Sequence, residues 1–464
     1  MQLDTTILDL FRDAAGSVPA YRRFLAEQGV DPATVSDPAR IPLMTKEGYH
    51  LRFPLPERCR GGRLDAAAMV ALSSGSSGRA TVWPRSVRDE EPVTARFAQV
   101  FRDGFGADRR STLAVVCFAL GNWVGGMYTV AACRQLSAAG FPVTVAAPGN
   151  DIGEILRVVG ELGGHFEQVV LLGYPPFVKN VMDAGPARGV NWPEYDVKLV
   201  LAGEVFSEQW RDLVAARAGI TDPVSGVASL YGTADAGVLG NETALSVRIR
   251  RFLADRPEVA TKLFGDSRLP TLVQYDPAAR RFETAPDGTL AFSADGMVPL
   301  VRYHIADEGG LLSYPEMVAL CREHGFDPGD GPELPFVYVF GRSLFTVSFF
   351  GANVYPENVT VGLERPGVSD WTTGRFVLRT IEDEDRDRHL SVVVELAADA
   401  EPTPERSALA AASIRTELLR LNSEFANYVP PEHQTPRIEL RPADDPEFFP
   451  RGVKHRYTRP VTPP

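Results

Sequence analysis

The 464 residues carry 48 Lys and Arg against 60 Asp and Glu, a formal charge of −12, with 44% apolar and 23% charged side chains. Those proportions exclude a disordered, collagen-like or coiled-coil chain and leave room for one large domain and a smaller one. The acidic balance argues against a sequence-independent grip on nucleic acid or an anionic membrane, so an anionic ligand must be met locally. Cys59, Cys117, Cys133 and Cys321 lie far apart without a Cys-x-x-Cys pair. Neither a disulfide framework nor a structural zinc site is read from them, and a reducing, cytoplasmic setting is expected. The opening residues lack the basic and apolar regions of a secretory signal, so no export is expected.

Taken along the chain, residues 113–133 carry no charge over a length that can span a bilayer, but Gly121, Asn122, Gly125 and Gly126 interrupt them. A β-branched strand, a glycine turn and a helix are expected there, and no membrane span. From about 111 to 231, short apolar runs at 143–147, 169–172 and 197–201 alternate with amphipathic segments at 152–162 and 208–216. That alternation predicts βαβ units and a largely parallel sheet. From 270 to 302 the pattern changes to short strands punctuated by Asp276-Pro277, Asp287-Gly288 and Asp295-Gly296, which predicts β-hairpins. Strands at 375–380 and 390–396, split by the acidic stretch 382–387, and a helix at 405–422 complete a smaller α+β region beginning near 343. The fold class expected is α/β: a large N-terminal domain, 1–342, with parallel α/β sheet and a β-rich part, and a small C-terminal domain, 343–464.

Five segments can carry chemistry. Ser73, Ser74, Gly75, Ser76, Ser77 and Gly78, followed by Arg79, offer close backbone N–H groups, hydroxyls and a charge to phosphate oxygens. Taken alone, the same residues also make a flexible loop. Tyr231-Gly232-Thr233-Ala234-Asp235 ends an apolar run with a carboxylate suited to a Mg²⁺ that bridges phosphates, or with an ordinary Asp-capped turn. Arg302-Tyr303-His304-Ile305-Ala306-Asp307 places an acid able to receive two sugar hydroxyls. Gly341 and Arg342, then the segment 351–356, can form a hinge or a plain hairpin. Lys454, in Arg451-Gly452-Val453-Lys454-His455, is a compact charge that can meet a phosphate, or a solvated tail residue.

In type and order these segments resemble the acyl-adenylate-forming enzymes, most closely their phenylacetate-CoA-ligase-like branch, over nearly the whole chain. Ile41-Pro42-Leu43-Met44-Thr45-Lys46-Glu47 resembles an early signature of that branch, and Ala202-Gly203-Glu204 the segment lining the adenine pocket. The resemblance implies a large adenylation domain followed by a small mobile lid. It implies ATP-dependent activation of a carboxylic acid as acyl-AMP, with Mg²⁺, then transfer to CoA or to the phosphopantetheine of an acyl carrier protein, or to an amine. A homolog that binds nucleotide without turnover stays open, as does a homodimer. By residue it implies that 73–79 hold the β- and γ-phosphates and Asp235 the Mg²⁺. Gly203, Glu204, Tyr231, Gly232 and Thr233 lie near the nucleotide, Asp307 with Arg342 holds the ribose, and Lys454 and Arg79 are the catalytic cations. Phe118, Trp123, Gly125, Gly126 and Tyr174 fall where relatives line the acyl pocket, and aromatic walls over a glycine floor suit an aromatic or unsaturated acid.

This sequence departs from the family pattern at four places. Arg79 stands for a lysine, Ala234 for a serine or threonine, Asp235 for a glutamate, and Leu344 for the hinge acid. Glu242 is a candidate second acid for the cation, and Arg248, Arg250 and Arg251 a candidate basic patch for CoA phosphates or a carrier helix.

Overall fold

The computed structural model describes residues 6–72, 81–265, 269–342, 346–397, 400–449 and 457–459. Their contacts divide them into two compact units: one runs up to Gly341 apart from residues 174–177, and the other holds 174–177 and the chain from Arg342 onward.

In the first unit β1 (Met69–Leu72) and β2 (Val82–Arg85) make an antiparallel ribbon. Then come β3 (Thr112–Val116), β4 (Val143–Ala146), β5 (Gln168–Gly173), β6 (Val197–Ala202) and β7 (Val227–Thr233), which pair in parallel in the order β4-β3-β5-β6-β7. Every residue of β3 and β5 is buried, which is why both read as unbroken apolar runs: a parallel strand is covered on its two faces. The covering helices are amphipathic. Ile152–Leu162 turns Ile155, Leu156, Val158 and Val159 inward and starts at Asp151, whose side chain accepts the Glu154 amide at 3.0 Å. The uncharged run resolves into β3, a positive-φ turn at Gly121 and the helix Val124–Ala138. Among the described residues no helix is long and apolar enough to cross a membrane.

The β-rich part is not a separate layer. β8 (Gly237–Asn241) pairs antiparallel with β7, and β9 (Thr271–Gln274), β10 (Arg281–Thr284), β11 (Thr289–Ala294), β12 (Leu300–Leu312) and β13 (Phe336–Arg342) extend the same sheet to eleven strands. Asp287-Gly288 and Asp295-Gly296 do join paired antiparallel strands, β10 to β11 and β11 to β12. Asp276-Pro277 does not. Its Asx turn forms, with Asp276 Oδ1 accepting from Ala278 N at 3.0 Å, but β9 takes β8 and β13 as neighbours, so the chain crosses to the far edge before β10. The helices Ile7–Ser17 and Pro19–Glu27 bring Phe11, Tyr21 and Phe24 into one core with Tyr49, Trp83, Phe292 and Tyr303, directly behind β12.

The second unit holds a small hairpin, β14 (Val347–Phe349) with β15 (Ala352–Val354), and a three-stranded sheet. In that sheet β16 (Thr372–Glu382) is antiparallel to β17 (Arg388–Leu396), and β18 (Arg437–Arg441) runs parallel to β17. The helix Pro404–Leu421 buries Ala410, Ile414 and Leu418. The mixed α/β class read from the sequence is the class observed.

Candidate functional site

Parallel strands end on one edge of the sheet, and the order β4-β3-β5-β6-β7 reverses direction beside β3, the place where doubly wound sheets take ligands. At that edge β3 leads to buried Phe118, β6 to Gly203 and buried Glu204, and β7 carries Tyr231, Gly232 and Thr233 toward Asp235. Gly203 has φ +91°, a conformation a side chain resists. A Cβ on Gly232 would stand 2.6 Å from the Gly237 carbonyl, so the close approach of β7 and β8 needs glycine there. Thr233 Oγ1 accepts from Ala236 N at 3.2 Å and tightens the turn that presents the acid.

Two tyrosine–aspartate hydrogen bonds cross between segments. Tyr231 donates its hydroxyl to Asp307 Oδ2 at 2.6 Å, and Tyr303 donates its hydroxyl to Asp235 Oδ2 at 2.7 Å. All four residues are buried, and the distances are those of hydroxyl-to-carboxylate bonds. Each tyrosine thus serves the aspartate that follows the other tyrosine by four residues. β12 reaches this geometry through irregular pairing: Leu290 pairs with Asp307 while its neighbour Ala291 pairs with His304, so two extra residues bulge from β12. Ala306 in that bulge and Arg302 before it have positive φ, +58° and +48°.

The surroundings hold both ends. Tyr303 is 1% exposed and meets His50 and Phe292 edge-on at 5.2 and 5.8 Å. His50 Nδ1 receives Arg58 Nη1 at 3.1 Å, so the ring's own proton sits on Nε2. Burial, then Arg58, Arg85 and Lys46, push that imidazole well below its usual value and keep it neutral. The segment 41–47 docks beside Tyr303: Met44 N donates to Arg302 O at 3.1 Å, His304 N donates to Met44 O at 2.9 Å, and Arg302 Nη1 donates to Ala39 O at 2.9 Å and to Ile41 O. On the other side Arg85 Nη2 donates to the carbonyls of Ala234, at 3.2 Å, and Asp235, while Arg280 Nη2 donates to Ala236 O at 3.2 Å. Three successive carbonyls of the acid's turn are therefore held by two buried guanidiniums. Burial, then Arg85, lowers Arg280 to about 10.

Among the described residues Asp235 Oδ1 has no hydrogen-bond partner. A carboxylate with one oxygen free fits a Mg²⁺ held mainly through waters and substrate phosphates. Glu242 does not join it: its Oε1 pairs with Arg211 at 2.7 Å and its Oε2 accepts Ser229 N at 2.8 Å, in a buried cluster with Glu208 and Arg250. Nor do the three arginines form a patch: Arg250 turns inward, and Arg248 and Arg251, one turn apart on the helix, are each taken by a different partner. Arg250 is buried against Glu208, Arg248 donates to the carbonyls of Pro328 and Asp330 at 2.6 and 2.7 Å, and Arg251 pairs with Asp212 at 2.8 Å.

Trp123 precedes the helix Val124–Ala138 and bridges to Leu72 at the end of β1. A Cβ on Gly126 would stand 2.3 Å from Ala119 O, so helix packing alone accounts for that glycine, and Gly125 O accepts from Thr129 Oγ1 at 2.6 Å. Tyr174 belongs to the second unit, its ring centroid 5.3 Å from that of Tyr428. Ser73, Ser74, Gly75, Ser76, Ser77, Gly78, Arg79, Leu344, Lys454 and the side chain of Arg342 lie outside the described residues. Tyr303, Arg85 and Arg280 are additions that sequence reasoning missed. The signal for Tyr303 was present, since Tyr-x-x-Ala-Asp occurs at 231–235 and again at 303–307.

No family model matches the sequence, and no curated protein matches it. Solved structures do. A 2-hydroxyisobutyryl-CoA ligase in complex with 2-HIB-AMP and CoA, in its thioesterification state, is 16% identical with a TM-score of 0.66, over 99% of this chain and 89% of that one. An open conformation of a 2-hydroxyisobutyryl-CoA ligase with the same two ligands gives 16% identity and a TM-score of 0.55, over 98% and 91%. One in the postadenylation state with R3-HIB-AMP gives 16% and 0.56, over 99% and 89%. At such identity the likeness is one of fold: this chain has the α/β fold of those ligases along nearly its full length.

Proposed function

We propose that this protein activates a carboxylic acid with ATP, as the phenylacetate-CoA-ligase-like branch does, and passes the acyl group to the thiol of CoA. In the first step a carboxylate oxygen attacks the α-phosphorus, and the bond to pyrophosphate breaks. In the second the thiolate sulfur attacks the acyl carbon, and AMP leaves on its phosphate oxygen. The observation that carries the reading is the crossed pair of Tyr–Asp bonds. It joins the acid assigned to the cation, Asp235, with the acid assigned to the ribose, Asp307, at the ligand-binding edge of a ligase fold.

In this reading the domains are 1–342 and a lid, 343–464. Ser73 to Arg79 bind the β- and γ-phosphates, and Asp307 with Arg342 receives the ribose hydroxyls. Tyr231 lies by the adenine, and Lys454 bridges the α-phosphate and the attacking carboxylate. A bound Mg²⁺ supplies charge neutralisation of the phosphates, and Asp235 is the residue that holds it. Phe118 and Trp123 favour an aromatic or unsaturated acid.

One observation favours a second reading. The arginines that would have met CoA or carrier-protein phosphates are buried or already paired, which leaves a nitrogen nucleophile as the alternative acceptor. Pyrophosphate release across a panel of aromatic, unsaturated and aliphatic acids, each alone, with CoA and with an amine, tests both. Further turnover with CoA supports the thioester; turnover only with an amine supports the alternative; silence across the panel overturns acid activation. Lys454→Ala should lower adenylate formation by about 10² to 10³ while sparing the reaction of supplied acyl-AMP. Equal loss of both steps would remove the role given to it.

A further inference from the structure

We infer that Tyr303 and Tyr231 are positioning residues that divide the nucleotide between them, Tyr303 aligning the cation's acid Asp235 and Tyr231 aligning the sugar's acid Asp307. The inference rests on the nucleotide reading above and adds residues and a division of labour to it.

An aspartate has two rotatable bonds, so a carboxylate on a turn samples several orientations unless something holds it. Asp235 is held at both levels. Arg85 and Arg280 fix the carbonyls of 234 to 236, and the Tyr303 hydroxyl occupies Oδ2, which leaves Oδ1 as the oxygen offered. Tyr303 in turn cannot swing away, because His50, Trp83 and Phe292 enclose its ring and Met44 pairs with the backbone on either side of it. Tyr231 is held likewise, stacked on Phe282 at 6.3 Å with its hydroxyl on Asp307. Replacing either tyrosine by phenylalanine keeps the ring packing and deletes only the hydroxyl. Each deletion should therefore be felt at one end of the nucleotide.

The test is calorimetric titration of full-length wild type, Tyr303→Phe, Tyr231→Phe and Asp235→Asn with ATP, once with Mn²⁺ and once with EDTA, and with 2′,3′-dideoxy-ATP plus Mn²⁺. Tyr303→Phe should shrink the gain in affinity that Mn²⁺ confers by about tenfold and leave metal-free ATP binding unchanged, as expected for losing one hydrogen bond to a charged group. Tyr231→Phe should keep the Mn²⁺ gain and lose preference for ATP over the dideoxy analogue. Asp235→Asn should abolish the Mn²⁺ gain, and adding Tyr303→Phe to it should cost nothing further. Where Tyr303→Phe melts early, Tyr231→Phe in the same titrations keeps the division of labour open to refutation. An unchanged Mn²⁺ gain in Tyr303→Phe, or equal losses with and without metal, would reduce Tyr303 to a packing residue. Loss of the Mn²⁺ gain in Tyr231→Phe would overturn the division of labour. Wild type that binds no ATP in either condition overturns the nucleotide reading itself.

Discussion

Two buried polar networks lie in the same unit and differ in what they leave open. Around Arg211 the charges cancel: Arg211 and Arg250 face Glu208 and Glu242, Arg211 Nη1 donates to Val227 O at 2.6 Å, and Arg250 Nε donates to Pro270 O at 2.8 Å. Burial alone would raise Glu208, yet Arg211 and Arg250 outweigh it and keep its carboxyl lowered. Among the described residues the Asp235 carboxylate meets only a phenol, the guanidiniums of Arg85 and Arg280 being spent on the carbonyls of its turn, and one oxygen stays unclaimed. A network that exists to hold the fold saturates its groups; one that receives a ligand keeps an acceptor vacant. By that criterion Glu242 and Arg250 belong to the scaffold, and Asp235 fits the role proposed for it.

The comparison is open to direct attack. The largest effect should come from Arg211→Met, which leaves the buried Glu242 carboxylate without a cation while Glu208 keeps Arg250, and should cost about 3–5 kcal/mol in denaturant unfolding; a loss under 1 kcal/mol would mean that water reaches the cluster. Next, Asp235→Asn should lower pyrophosphate release about a hundredfold, on the scale of a lost transition-state contact, with little change in the unfolding midpoint. The reverse pattern, a stability loss with activity kept, would move Asp235 into the scaffold. His50 gives a subtler test through pH. Its imidazole is held below its usual 6.5 by burial and by Arg58, Arg85 and Lys46, so the unfolded chain takes up a proton there first. Stability should therefore be full above about 6.5 and fall as the pH drops below it, and His50→Asn should flatten that part of the melting-temperature profile. Smallest of all, Arg251→Ala, at the exposed rim of the saturated cluster, should change stability by about 0.5 kcal/mol or less and leave CoA dependence unaltered. A clear rise in the Michaelis constant for CoA would restore the basic patch that the structure dissolves.

Much of the architecture was legible because parallel strands and amphipathic helices write their burial into residue order. The runs read as strands at 143–147, 169–172 and 197–201 and the helix at 152–162 all form. What the order could not convey was partnership across the sheet. Asp276-Pro277 has the same turn chemistry as Asp287-Gly288, yet only the second joins neighbouring strands. Glu242 looked available because its partner, Arg211, lies 31 residues earlier, and Arg248, Arg250 and Arg251 looked like one patch because residue order shows neither that Arg250 turns inward nor that Arg248 and Arg251 have partners of their own. Asp235 and Asp307 were found by motif, whereas the bonds that orient them run between motifs.

The crossing of those bonds has a consequence for how this protein can change over generations. Since each tyrosine answers to the acid of the other segment, a substitution in 303–307 is experienced at 235, and one in 231–235 is experienced at 307. A change in one stretch should misalign its counterpart, so the two are expected to change together. Viable variants should replace a tyrosine together with the distant aspartate it serves, not with the aspartate beside it in the chain.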